Sequence, residues 1–230
     1  MNEPQTTLPD AIFFDWDGTL VSSISQLFEA HNSVRDYLGE PRWNFDEYMI
    51  HIYHSSRELY PRLYKDRADE AIHYLYKFLD KNHLNGLTKM EEAAEMLETL
   101  HQAGTPMAVV SNKRHDFLLR EVSHFGWNHY FKSVIGAGEA EKDKPDAAPV
   151  RMAMQAGGLN PDIHRIWFVG DTKTDMEAAK QSSCEAVLIL NGEDKSEIID
   201  IYAPVQIFND CKDMHHMIST ASTKIEMKAC

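Results

Sequence analysis

Apolar residues fall along this chain in two rhythms, and the change from one to the other divides it. Short apolar, partly β-branched runs recur at residues 11–14, 107–110, 133–135, 165–169, 186–190 and 205–208. Runs of this length without polar alternation predict strands buried on both faces of a sheet. Helical spacing fills the intervals between the later runs. Met90, Ala93, Ala94, Leu97 and Leu100 share one face, and Gly104 stands where a helix ends on glycine. Strand alternating with helix predicts an α/β fold, a doubly wound parallel sheet with helices on both faces.

Residues 21–87 keep the helical rhythm without a strand: Ile24, Leu27 and Phe28, then Leu59 and Leu63, then Ile72, Leu75, Tyr76 and Leu79. This predicts an inserted helical domain at 21–87 on a core made of residues 1–20 and 88–230, with small and turn-forming residues at its exits. The polar tail after Ile218 is expected to be loosely ordered. No internal repeat or low-complexity segment interrupts the chain.

Composition narrows the function classes. A net charge of −13 over 230 residues, with no concentrated Lys/Arg patch, argues against nucleic acid as a partner and suits a soluble monomer or weak dimer. The start of the chain lacks the basic and apolar regions of a signal peptide, and no apolar stretch is long enough to span a bilayer, so a cytoplasmic protein without a membrane partner is expected. Cys184, Cys211 and Cys230 have neither metal-site spacing nor an even count, which suits idle thiols in a reducing compartment. The twelve histidines, His215 and His216 included, show no ligand spacing and read as structural or exposed.

In an open parallel sheet, ligands bind beyond the carboxyl ends of the strands. Beyond the first run comes Asp15-Trp16-Asp17-Gly18-Thr19, beyond the second Ser111-Asn112-Lys113, and beyond the fourth Gly170-Asp171-Thr172-Lys173-Thr174-Asp175; Lys142-Asp143-Lys144-Pro145 precedes the fourth. Each piece alone also suits a cap or a turn. Together they bring four carboxylates to one edge, where two unit charges about 4 Å apart repel by about 1 kcal/mol even in water. A divalent cation relieves that repulsion, and ligands that are all oxygen select Mg²⁺. A hydroxyl and an ammonium on the other side would then hold a phosphate. Thr174 with Glu177 fits a capping box that puts Asp175 in the first turn of a helix, so Asp175 serves either the metal or the helix start. Lys144 and Lys142 compete for the phosphate role; the position before Pro145 favours Lys144, leaving Lys142 a solvated charge.

The order DWDGT, SN, KP and GDTKTD resembles the four signature motifs of the haloacid dehalogenase superfamily, in its Mg²⁺-dependent phosphatase branch. The resemblance covers about residues 11–191, implies a Rossmann-like core with a type-1 helical cap, and looks most like the phosphoglycolate phosphatase group. It implies hydrolysis of a small soluble phosphate monoester through an aspartyl phosphate, with Asp15 the nucleophile and Asp17 the general acid and base. It gives the metal to Asp15, the Asp17 carbonyl and Asp171, with Asp175 orienting the metal's waters. Phosphate binding falls to Ser111 and Lys144, helped by Asn112 and by the Gly18 and Thr19 backbone. A complete DxD favours phosphoryl transfer over dehalogenation. Ser22-Ser23 stands where relatives often carry an acidic residue, and a serine caps the next helix as well.

Substrate choice belongs to the insertion. Ser55-Ser56-Arg57-Glu58-Leu59 resembles a cap segment that reaches the site, so Arg57 either grips an anionic leaving group or pairs with a neighbouring Glu on the helix surface. Tyr48, Tyr53, Tyr60, Tyr64, Tyr74 and Tyr76 either line a pocket for a ring or form bundle core. Alternatives on the same core are a phosphomutase like β-phosphoglucomutase, and a phosphonatase, which needs a cap lysine such as Lys65, Lys77 or Lys81. The non-enzyme alternatives are a receiver-like signalling module and a phosphate- or metal-binding protein.

Overall fold

The computed structural model describes residues 8–51 and 56–229, with side chains as far as residue 221; Tyr53, Ser55 and Cys230 lie outside the described residues. Numbered along the chain, β1 (Ala11–Phe14), β4 (Met107–Arg114), β5 (Phe131–Ala137), β6 (Ile166–Gly170), β7 (Glu185–Ile189) and β8 (Gln206–Phe208) form one sheet. The order is β5-β4-β1-β6-β7-β8 and each pairing is parallel. This is the doubly wound α/β sheet that the apolar runs predict. On β1, Ile12 and Phe14 pack into one core while Ala11 and Phe13 pack into the other, which is why the strand shows no polar alternation.

Helices cover both faces. On one side, α5 (Ala93–Gln102) contributes Met96, Leu97 and Leu100, α6 (His115–His124) contributes Leu118 and Val122, and α10 (Cys211–Ala229) contributes Met214 and Ile218. On the other, α7 (Ala148–Gly157) contributes Val150 and Ala153, and α8 (Lys173–Gln181) contributes Ala178 and Ala179. The short α9 (Ser196–Tyr202) follows β7. The tail expected to be loose after Ile218 instead continues α10 to Ala229. Met214, Ile218 and Ala221 form a buried stripe at helical spacing, and His216 and Thr220 between them are exposed.

A short antiparallel pair, β2 (Val21–Ser22) with β3 (Thr88–Lys89), brackets the helical insertion. It holds α1 (Ile24–Leu38), α2 (Phe45–His51), α3 (Ser56–Tyr64) and α4 (Ala68–Asn82). Ala30, Val34, Leu59, Tyr60 and Leu75 build a separate core there, joined by Phe117 from α6 of the sheet domain. Among the described residues no helix is long and apolar enough to cross a membrane.

Candidate active site

The chain leaves β1 into a tight loop in which the Trp16 carbonyl accepts from the amides of Leu20 and Val21, at 3.0 and 3.1 Å. Gly18 makes the turn at φ +81°, and a Cβ there would sit 2.5 Å from Asp171 Oδ2. Glycine is therefore required twice, for the left-handed backbone and for the approach of Asp171. Gly170 does the same for Asp175, since its Cβ would fall 2.3 Å from that of Asp175. Two glycines thus let the loops after β1 and β6 close on one point.

At that point Asp15, Asp171 and Asp175 each present an oxygen within 4.8 Å of the others. Lys144, buried, bridges two of them, with Nζ donating to Asp15 Oδ1 and Asp175 Oδ1 at 2.7 Å each. Burial alone would lower the Lys144 pKa, but Asp15 and Asp175 outweigh it and hold the ammonium well above its usual range. Lys195 Nζ lies 3.7 Å from Asp171 Oδ2, and two ammoniums do not balance three carboxylates. Burial pushes Asp15 up to about 7, with Asp175 adding repulsion against the pull of Lys144. Burial likewise pushes Asp171 up to about 8, against the pull of Lys195 and with repulsion from Asp175 and Asp15. Carboxylates this crowded, all offering oxygen, fit a hard divalent cation.

Asp17 faces the same cavity but answers to a different network. Its Oδ1 accepts from Lys113 Nζ at 2.7 Å and from the Ser23 hydroxyl. Lys113 Nζ also donates to Glu121 Oε2 at 2.6 Å, and that oxygen takes the Trp16 indole N–H at 2.7 Å. His83 Nδ1 lies 3.2 Å from Glu121 Oε1. Glu121 comes from the buried face of α6 and is fully enclosed. Ser23 serves this network and makes no side-chain cap to α1, although serine at that position was expected to cap it.

The remaining sequence candidates take more specific places. Asp175 stands in the first turn of α8, but the capping box is Thr172 with Asp175 rather than Thr174 with Glu177. Asp175 Oδ2 accepts from the Thr172 amide at 3.0 Å and its hydroxyl at 2.6 Å, so that carboxylate is divided between the helix start and Lys144. The Thr19 side chain is buried and directed at Asp171 Oδ1, 3.3 Å away. Asn112 Nδ2 donates to the Lys144 carbonyl at 2.9 Å, while its buried Oδ1 has no partner. Ser111 and Gly18 line the cavity. Lys142 is exposed beside Asp146 at 3.5 Å.

The cavity above these groups measures about 640 Å³ and runs up into the insertion. Arg57 does not line it: Nη2 reaches across to Asp143 Oδ1 of the sheet domain at 2.9 Å, next to Lys144. Arg57 therefore ties insertion to core, a pairing the helix-surface reading did not foresee. Tyr48 and Tyr76 line the cavity, whereas Tyr60, Tyr64 and Tyr74 pack in the helical core. Lys65, Lys77 and Lys81 are exposed and none lines the cavity, so the requirement of a phosphonatase for a cap lysine finds no support.

A family model described as haloacid dehalogenase-like hydrolase matches residues 12–189, more than three quarters of the chain. The chain belongs to the haloacid dehalogenase-like hydrolases. It is 26% identical over 220 residues to phosphoglycolate phosphatase 1 of Pseudomonas aeruginosa, covering 91% of this chain and 79% of that protein. Similarity to a pyrophosphatase PpaX of Bacillus velezensis is 23% over 207 residues, covering 90% and 95%. A crystal structure of a predicted phosphoglycolate phosphatase from Haemophilus somnus superposes with a TM-score of 0.78 at 26% identity, covering 92% of this chain and 98% of that one. A haloacid dehalogenase-like hydrolase of Bacteroides fragilis, at 18% identity and a TM-score of 0.81, shares the fold.

Two charged residues of this haloacid dehalogenase-like site escaped the sequence reading. Glu121 had a visible signal: it stands four residues after Phe117 on the apolar face of α6, where an acid needs a buried partner. Lys195 had none. It stems from the segment before α9 and donates to the carbonyls of Asp171 at 2.7 Å and Ile189 at 3.1 Å, steadying the loop that carries Asp171.

Proposed function

We propose that the protein is a Mg²⁺-dependent phosphatase that cleaves a small phosphate monoester through an aspartyl phosphate on Asp15. The observation that carries this reading is the convergence of Asp15, Asp17, Lys144 and Asp171 on one cavity at the carboxyl edge of the sheet. The similarity to phosphoglycolate phosphatases supports it.

Asp15 Oδ1 is held by Lys144, which orients the carboxylate and shares its charge with the incoming phosphoryl group. The Asp15 oxygen attacks phosphorus, the new P–O bond forms, and the ester P–O bond breaks. Both tethers on Asp17, from Lys113 and Ser23, end on Oδ1, which leaves Oδ2 to give its proton to the departing alkoxide. In the second half Asp17 Oδ2 takes a proton from water, the water oxygen bonds to phosphorus, and the bond to Asp15 breaks. Phosphate then leaves and both aspartates are restored. Ser111 and Lys144 line the side that receives the phosphoryl oxygens. Asp15, Asp171 and the Asp17 carbonyl would hold Mg²⁺, with Asp175 behind them. When bound, the ion supplies charge neutralisation for the phosphoryl oxygens.

Release of phosphate from p-nitrophenyl phosphate, with and without Mg²⁺, tests the reading. Metal-dependent turnover is expected; a folded protein with no turnover on any ester overturns it.

A further inference from the structure

The cavity has a charged floor and an apolar roof. Leu27, Tyr48, Met49, Leu75, Leu79 and Phe117 line the upper part, and among the described residues of the insertion no Lys, Arg, Asp or Glu reaches it. Its two roof histidines, His31 and His83, are held neutral: burial lowers each to about 4. Arg57, the cation that would suit a carboxylate-bearing leaving group, is spent on Asp143. Arg114 at the margin lies over the rings of Tyr76 and Phe117, 4.2 and 4.0 Å from their centroids, and pairs with Asp116.

Two polar atoms of the roof are unspent. The Tyr48 hydroxyl and His83 Nε2 are buried with no hydrogen-bond partner, and both residues line the cavity. A buried donor or acceptor without a partner is costly unless a ligand satisfies it. A volume of about 640 Å³ lies within the roughly 300–1,000 Å³ of sites that take ring-sized ligands. A leaving group as small as glycolate would fill little of it and leave the apolar roof empty, since the cavity's cations, Lys113, Arg114, Lys144, Lys173 and Lys195, all belong to the sheet domain.

From the apolar roof and its two unpartnered polar atoms, we infer that the preferred substrate is a phosphate monoester whose alcohol carries an uncharged ring with polar substituents, such as an aryl phosphate or a nucleoside monophosphate. This rests on the phosphatase reading above. The ring lies between Leu27, Met49 and Phe117; the Tyr48 hydroxyl donates to a polar atom of the leaving group, and His83 Nε2 meets another.

The test compares kcat/KM for 2-phosphoglycolate, phenyl phosphate and a nucleoside 5′-monophosphate, with Mg²⁺ and the full chain. At least one ring-bearing ester is expected to exceed phosphoglycolate by roughly tenfold or more. Met49→Lys, at a half-buried position, is expected to shift the ratio toward phosphoglycolate, and Tyr48→Phe to raise KM for the nucleoside monophosphate, whose base carries polar atoms. Phosphoglycolate equal or preferred in the wild type overturns the substrate class and leaves the phosphatase reading standing. Absence of turnover on all three esters overturns both.

Discussion

Replacing Gly18 with alanine perturbs the site through one methyl group, and the structure fixes what that group meets. The new Cβ lies 2.5 Å from Asp171 Oδ2, where ordinary contact begins near 3.4 Å, so the carboxylate must retreat by about 0.9 Å. Asp171 has little room to do so, because Thr19 Oγ1 at 3.3 Å and Lys195 at 2.7 Å from its carbonyl hold it. The left-handed backbone adds about 1–2 kcal/mol for a residue with a Cβ. A total stability loss of about 2–5 kcal/mol follows once overpacking, about 1–3 kcal/mol, is included. In a domain of this size that lowers Tm by about 2–4 °C per kcal/mol. The functional effect is larger than the thermodynamic one. A displacement near 1 Å at a reacting centre can cost about a hundredfold in rate, and Asp171 is the residue displaced. Mg²⁺ titrations of phosphate release and of Tm are expected to show a midpoint raised at least tenfold and turnover down about a hundredfold in a protein that still melts cooperatively. A variant with the wild-type Mg²⁺ midpoint and rate would refute the placement of Asp171 at the metal.

Further outcomes follow from the same geometry. Glu121→Ala removes the acceptor shared by Lys113 and Trp16 and leaves Lys113 buried with Asp17 alone, so urea melts should lose about 3–5 kcal/mol; Glu121→Gln, which keeps an acceptor oxygen, should lose less. Arg57→Ala breaks a pair whose arginine is half-exposed, so solvent screening holds the stability loss to about 1 kcal/mol, while KM rises as the insertion loosens from the core. Thr172→Ala removes the α8 cap and should cost about 1 kcal/mol in denaturant unfolding. Asp15 and Asp171 titrate near 7 and 8 in the fold against about 4 when unfolded, so between those values the folded state binds more protons and metal-free stability falls as pH rises. Metal binding requires their ionised forms, so the Mg²⁺-induced rise in Tm should be larger at pH 8.5 than at pH 5.5.

The strands were legible because β1 and β6 are buried on both faces and their sequences are apolar throughout. Asp15, Asp17 and Asp171 were legible because they follow the ends of β1 and β6, a position set by local sequence. What escaped notice depends on long-range packing. Glu121 meets Trp16 across 105 residues, and Arg57 meets Asp143 across 86. No spacing rule encodes such a pair; only the charge on the buried face of α6 hinted at one. The capping box was misplaced by two residues because Thr172 and Thr174 are both residues that suit a cap, and the helix starts one residue earlier than Thr174, at Lys173. The tail misled because its composition is polar, while the helix that begins at Cys211 continues through it to Ala229.

The central claim is a covalent bond between phosphorus and Asp15. Turnover with an ester and Mg²⁺, stopped by rapid acid quench and followed by borohydride reduction, would convert an acyl phosphate to an alcohol that peptide mass spectrometry can locate. The account predicts reduction at Asp15, dependent on both ester and Mg²⁺ and absent in Asp15→Asn. Steady turnover with no modification at Asp15, or with the label on another residue, would contradict it.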